Sequence, residues 1–173
     1  YGDSLLLVMP SDHYIPDLAS FRDMVISGVN AAENGMLVLF GVPPEQANTG
    51  FGYIEVGNSS TSDFTEVKKF IEKPDLEAAK MMFASGNFLW NSGIFLFKAS
   101  TMLALANVFE EDILIKVSLS LANSNQDKHF CRLEASAWQE VKEISIDHAI
   151  VERTERIACV PFSSKWSDLG DWN

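Results

Sequence analysis

Cysteine is scarce: Cys131 and Cys159 are the only two in 173 residues. Two thiols cannot build a disulfide framework, and their number suits a reducing, cytoplasmic setting. Basic residues are also few. Thirteen Lys and Arg stand against 24 Asp and Glu, a formal charge of −11. A chain this acidic is a poor general partner for nucleic acid or for an anionic membrane, because both attract basic faces. It can still take a small phosphate compound through a metal ion or one local lysine. No apolar run nears the roughly 18 residues of a spanning helix. The three histidines, His13, His129 and His148, lack metal-ligand spacing and read as structural or surface residues. No Gly-x-Ser-x-Gly elbow is present, and no Cys–His pair stands out, so nucleophilic catalysis has no support. Gly50 and Gly52 do not form a Gly-x-Gly-x-x-Gly fingerprint opening a helix. They suit a bulge, or a backbone N–H facing a sugar or phosphate.

What is present is an ordinary globular composition, 47% hydrophobic and 21% charged. The length fits one domain, with enough chain to bury a core unaided. Leu5–Met9 is a continuous apolar run ending at Pro10, which suits a strand buried on both faces. Leu18, Phe21, Val25 and Val29 then recur at helical spacing, with Pro16-Asp17 as the start and Asn34-Gly35 as the stop. Residues 36–42 read as a second buried strand, completing a βαβ unit with a right-handed crossover expected.

Residues 57–65 read as a hairpin loop, and 66–72 as an edge-like strand ending at Glu72-Lys73-Pro74. Asp75 opens a helix that Ser85-Gly86 stops. Phe88–Gly93 is a short apolar stretch interrupted by Asn91, followed by a strand at Ile94–Phe97. Residues 99–123 are expected helical with a break near Glu110–Asp112, 124–131 a loop, Ser145–Thr154 a helix, and Ile157–Phe162 a last strand. Strands alternating with helices predict an α/β domain with a largely parallel sheet.

Ligands of open α/β sheets bind beyond the carboxyl ends of strands. Four polar clusters fall there: Asp12, Glu72-Lys73, Asn91 and Asp168. Asp12 and Asp168 either cap turns or hold a hard divalent cation together with substrate phosphates. Lys73 either meets a phosphate as a compact charge or is a solvated strand end. Glu72 could accept hydrogen bonds from sugar hydroxyls. Asn91, in an apolar surround, is a structural bridge or a ligand reader. Trp166 and Trp172 flank Asp168; core packing is their default role, with stacking on a base or sugar as the alternative.

Six runs occur in order: Leu7–His13, Thr49–Ile54, Phe70–Asp75, Leu89–Phe95, Ser145–Asp147 and Trp166–Gly170. Together they resemble bacterial mannose-1-phosphate guanylyltransferases of the sugar-phosphate nucleotidylyltransferase family, including the type fused to a mannose-6-phosphate isomerase. The resemblance implies a Rossmann-like nucleotide-diphospho-sugar transferase fold, a mixed, mostly parallel sheet flanked by helices. It implies GTP and mannose 1-phosphate as substrates, GDP-mannose and pyrophosphate as products, and Mg²⁺ as cofactor. It makes Asp12 and Asp168 the metal ligands and catalytic carboxylates, and Lys73 the catalytic group meeting the sugar phosphate. Glu72 and Asn91 become sugar readers, with the Gly52 backbone close by. A homo-oligomer is compatible with it. A glucose-1-phosphate enzyme using UTP or dTTP, and a non-catalytic sugar-nucleotide binder, are the competing readings.

The family's glycine-rich loop ending in Arg, which cradles the triphosphate, has no counterpart in this sequence. The expectation is therefore an internal piece, residues 1–173 of a catalytic domain lacking its first βα unit and inactive alone.

Overall fold

The computed structural model describes residues 2–57, 63–162 and 164–170. Most of the expected 57–65 hairpin loop and Trp172 lie outside the described residues.

The first strand, β1 (Leu5–Val8), leads into helix α1 (Leu18–Glu33) and strand β2 (Leu37–Val42). Asp17 caps α1, its carboxylate accepting from Ser20 N at 3.1 Å. Strands β3 (Tyr53–Val56) and β4 (Thr65–Ile71) pair antiparallel. Helix α2 (Leu76–Ser85) follows, capped by Asp75 and closed by Gly86 at φ +71°. Strand β5 (Phe88–Lys98) precedes helices α3 (Ala99–Phe109) and α4 (Glu111–Ala122). A small hairpin, β6 (Asn125–Asp127) and β7 (Phe130–Arg132), leads to helix α5 (Ala135–Gln139). A π-helical turn (Asp147–Val151) and strand β8 (Ile157–Pro161) complete the order.

The main sheet runs β1-β5-β2-β8-β4-β3, with a further pairing of β3 to β5. The α/β architecture and the mixed sheet agree with expectation; the strand directions do not. Only β2–β8 is parallel, and the other pairings are antiparallel. The reason is β5, inserted between β1 and β2 and running against both. The opening βαβ unit is thus split, its strands parallel to each other but not neighbours.

Four local expectations are also corrected. Leu6, Leu7, Val8 and Met9 are 39–44% exposed, because β1 is an edge strand with a neighbour on one side only. Strand β4 is internal, between β8 and β3; its lysines mark an outward face, not an edge. Residues 125–132 form a hairpin rather than a plain loop. The expected helix over 145–154 is a single π turn. The break at Glu110 between two helices agrees with expectation.

Alternation along β2 divides the core. Val38 and Phe40 face α1 with Met24, Ala31, Ala32, Leu96 and Val160. Leu37 and Leu39 face the other layer with Phe95, Phe97, Ile150, Val151 and Cys159, onto which Met102, Leu105 and Phe109 of α3 pack. Burial pushes the Cys159 thiol up to about 12, so it is an inert core group. No helix of the described residues is long and apolar enough to cross a membrane.

Gly41 sits where these layers are tightest. An added Cβ would meet Cys159 Sγ and Leu89 Cδ1 at 2.7 Å and Leu89 Cβ at 2.9 Å. Gly41→Ala is expected to cost about 1–3 kcal/mol of stability through overpacking, measured by urea unfolding.

Candidate active site

Strand β5 carries two neighbours along one edge, and the site lies between them. Strand β1 covers the stretch from Lys98 back to Phe95, and β3 takes over from Trp90 to Phe88. Residues 91–94 lie between, opposite the place where β1 ends and β3 begins. On the other edge the register slips from Leu39↔Phe95 to Gly41↔Asn91, so β5 carries two extra residues there. This is a bulge, with Gly93 at φ +72°. Its displaced amides find side chains: Gly93 N donates to Asn91 Oδ1 at 3.2 Å, and Ile94 N to Ser92 Oγ at 3.3 Å.

The notch opens into a cavity of about 180 Å³. Gly52, Glu72, Asn91, Asp147, His13 and Asp168 are among the residues lining it. The volume suits a ligand smaller than the roughly 300–1,000 Å³ sites of drug-sized molecules. A second cavity of about 280 Å³ shares Phe51, Trp166 and Asp168 with it. Asp168 therefore stands where two cavities meet. Phe51 forms the wall between them, its ring 4.8 Å from Trp90 and 5.7 Å from Trp166.

Glu72 follows the carboxyl end of β4, its side chain only 10% exposed. Gly52 makes room for it: a Cβ there would lie 2.6 Å from Glu72 Oε2 and 2.8 Å from Phe70 Cζ. The Gly52 carbonyl accepts from Asn91 N at 2.8 Å. Gly50 spends its N–H on Asn48 Oδ1 at 2.7 Å, so it forms a local turn rather than an open donor. Asn91 is 8% exposed, and its Nδ2 donates to Asp147 Oδ1 at 3.0 Å.

Lys73 does not line the cavity wall. It stands at the rim, its side chain 64% exposed, with Nζ 3.6 Å from Glu72 Oε1. Its φ is +42°, in the left-handed region that a lysine rarely adopts. Glu152 steadies this turn, its Oε1 accepting from Glu72 N at 3.0 Å while its Oε2 contacts His148 Nδ1, also at 3.0 Å. Asp12 is exposed and lies outside the cavity lining. Its segment is tied to that of Asp168 by the Tyr14–Ser167 bridge and by Trp166 Nε1 with His13 Nδ1 at 3.2 Å. Of the expected set, Gly52, Glu72, Asn91 and Asp168 are thus gathered on one cavity, Lys73 at its rim and Asp12 on the adjoining segment.

The residues not anticipated are Asp147, His148, Glu152 and His13. The Ser-Ile-Asp run was the one available signal for Asp147. Spacing could not reveal the others, since Glu152 meets Glu72 across 80 residues. The local electrostatics follow from burial. Burial, and then the neighbouring Asp147 charge, hold the Glu72 carboxyl above its ordinary value, against the smaller pull of Lys73. Burial likewise raises Asp147. The bond to Glu152 raises His148. Burial would raise Glu152, but its bonds from His148 and Glu72 N win, and it lies low.

Among the described residues no three His, Cys, Asp or Glu gather as a protein metal cage. Asp12 and Asp168, the expected pair, offer only oxygen donors; Asp168 lines the cavity and Asp12 lies on the adjoining segment. Such a hard pair matches Mg²⁺, which uses one or two carboxylates and completes its shell with water and substrate oxygens.

Fold and site together describe an α/β domain with a small, carboxylate-lined pocket set beside a second cavity. The chain belongs to the nucleotidyl transferase family, whose model matches residues 1–173. It is 41% identical over 99% of its length to the xanthan biosynthesis protein XanB of Xanthomonas campestris pv. campestris, covering 36% of that protein. It is also 41% identical, over 99% of its length, to a mannose-1-phosphate guanylyltransferase of Sinorhizobium fredii, covering 33% of it. The crystal structure described as mannose-6-phosphate isomerase from Helicobacter pylori superposes with a TM-score of 0.87 at 35% identity, over 95% of this chain and 64% of that one. The chain thus spans about a third of the length of these curated relatives.

A carboxyl whose folded pKa is raised stabilises the fold below its ordinary titration range. That contribution is lost as pH rises through the elevated value. At neutral pH the Glu72 charge therefore works against folding. Glu72→Gln is expected to melt higher than wild type at pH 7. The gap should close below about pH 4, where the carboxyl is neutral folded or unfolded. Paired thermal melts at the two pH values check this.

Proposed function

We propose that the protein containing this chain transfers a guanylyl group from GTP to mannose 1-phosphate, giving GDP-mannose and pyrophosphate. The observation that carries the reading is the gathering of Glu72, Asn91 and Asp168 on one monosaccharide-sized cavity, with Lys73 at its rim. The high identity to a relative named mannose-1-phosphate guanylyltransferase supports the choice of sugar and base.

The chemistry needs no covalent intermediate. A phosphate oxygen of the sugar 1-phosphate attacks the α-phosphorus of GTP. The bond from that phosphorus to the β-phosphate bridging oxygen breaks, and pyrophosphate leaves with the electron pair. Catalysis then rests on alignment and on opposing the charge that gathers at the reacting phosphates. Glu72 accepts from sugar hydroxyls, and Asn91, its amide fixed at both ends, offers its remaining hydrogen and lone pair. Lys73 meets the sugar phosphate. Its exposed side chain can swing from Glu72 to an arriving dianion, and the Glu152 tether sets where the swing starts. Asp168, shared by both cavities, sits where a sugar phosphate in one would face a nucleotide in the other. Asp12 and Asp168 would hold Mg²⁺, which supplies charge neutralisation of the phosphates when bound.

The full-length protein is expected to release pyrophosphate from GTP and mannose 1-phosphate, and to stop when Mg²⁺ is chelated. Lys73→Ala should lower kcat/KM roughly a hundredfold through the lost phosphate contact. Release with UTP or dTTP and glucose 1-phosphate, but not with GTP and mannose 1-phosphate, would overturn the assignment.

A further inference from the structure

Asp147 is the one carboxylate of the cavity to which neither spacing nor resemblance gave a role. It lines the cavity with Glu72 and Asn91. It opens the π turn, and the three residues after His148 in that turn, Ala149, Ile150 and Val151, are 1–6% exposed in the core. That anchoring fixes the backbone from which its side chain projects. π turns of this kind recur at functional sites because they re-aim one residue.

Its partners say what it is not. Asp147 makes no salt bridge among the described residues, so it is not one half of a structural ion pair. Its bonds from Asn91 Nδ2 and from its own backbone N–H take two of about four lone-pair directions of the carboxylate. The remaining acceptor capacity lies beside Glu72, whose own carboxylate feels the Asp147 charge. Two carboxylates sharing a small cavity repel each other, and each keeps acceptor capacity that its protein partners, Lys73 for Glu72 and Asn91 for Asp147, do not fill. A polyol bearing several hydroxyls supplies donors to both and relieves the mismatch. A ligand lacking one of those hydroxyls leaves a carboxylate unpaired in a confined site, which is how a polar pocket rejects it strongly.

We infer that Asp147 is a specificity-determining residue: its carboxylate, held against the Asn91 amide, accepts a hydrogen bond from one hydroxyl of the sugar while Glu72 accepts from another. The inference deepens the function proposed above and rests on it.

The test is a cycle between enzyme group and substrate group in the full-length protein. Wild type is first offered mannose, glucose and galactose 1-phosphates with GTP and UTP. The monodeoxy analogues of the preferred sugar are then compared on wild type, Asp147→Asn and Asp147→Ser. Both variants keep an oxygen to accept from Asn91 Nδ2, so a role confined to orienting Asn91 survives in them. Misfolding of one, seen by circular dichroism, leaves the other to complete the cycle. In wild type the loss of the recognised hydroxyl should cost roughly ten- to hundredfold in kcat/KM. In the variants that same loss should nearly vanish. KM for the sugar phosphate should rise roughly tenfold, with KM for the nucleotide unchanged. Additive effects with every analogue overturn the inference. Preference for glucose 1-phosphate overturns the mannose reading alone, because the cycle runs equally on the glucose series. Turnover of no sugar 1-phosphate overturns both.

Discussion

Strand β5 is bonded along both edges, and it cannot satisfy three neighbours with one regular pleat. On one side it follows β2; on the other it is handed from β1 to β3. The handover leaves residues 91–94 without a strand on that edge. Backbone amides cannot stay unpaired in a core, so the chain must supply partners there. It does so with the side chains of Asn91 and Ser92 and a left-handed glycine at 93. The notch and its polar lining are thus one solution to one packing problem. The carbonyl of Gly52 closes the notch from β3, and Pro10 lies against Gly93 from the β1 side, 3.5 Å from where a Cβ would be.

The second constraint is charge. A chain of net −11 places Glu72 and Asp147 on a cavity proposed to take a phosphate ester. The nearest cation, Lys73, is not buried with them but stands at the rim in a strained backbone conformation. That conformation persists because it is held from both sides. Glu152 fixes the Glu72 N–H, and the buried Pro74, itself restricted in φ, fixes the exit into the Asp75 cap of α2. On the proposed reading, sugar hydroxyls would be read in the carboxylate-lined interior. A phosphate would then be left to the rim, where the exposed Lys73 can oppose its charge and where Asp12 and Asp168 could do so only through a cation held between them.

What could be read from the sequence was local. Asp17 and Asp75 are helix caps because a short carboxylate before an apolar stripe can do little else, and Gly86 ends α2 for the matching reason. The polar clusters at strand ends were legible too, since Glu72, Asn91 and Asp168 do line one cavity. What failed was everything decided by a distant partner. The direction of β5 relative to β1 and β2 is set by pairings some 50 to 90 residues apart, on which hydrophobic runs are silent. The apolar Leu6–Met9 run promised burial, but an edge position leaves it half-exposed. Asn91 hid the continuity of β5, because a polar residue in an apolar run reads as a break when it is in fact a bulge. His13 and Glu152 reach the site through contacts 153 and 80 residues distant in sequence, on which spacing is silent, and the i,i+4 pairing of His148 with Glu152 does not reveal that Glu152 also holds the Glu72 turn.

These failures share a cause that bears on function. A recognition site needs acceptors with capacity to spare, and a buried, incompletely satisfied acceptor destabilises the fold that holds it. The chain can tolerate Glu72 and Asp147 only where the surrounding structure is over-determined. That condition is met here: Leu37 through Phe40 and Ile94 are fully buried beneath the notch, and Gly41 admits no added atom. The layers beneath the site are therefore rigid by packing, while Glu72 and Asp147, which follow β4 and open the π turn, keep acceptor capacity above them. On the proposed reading, a ligand that donates to both carboxylates fills acceptor capacity that the fold itself does not use.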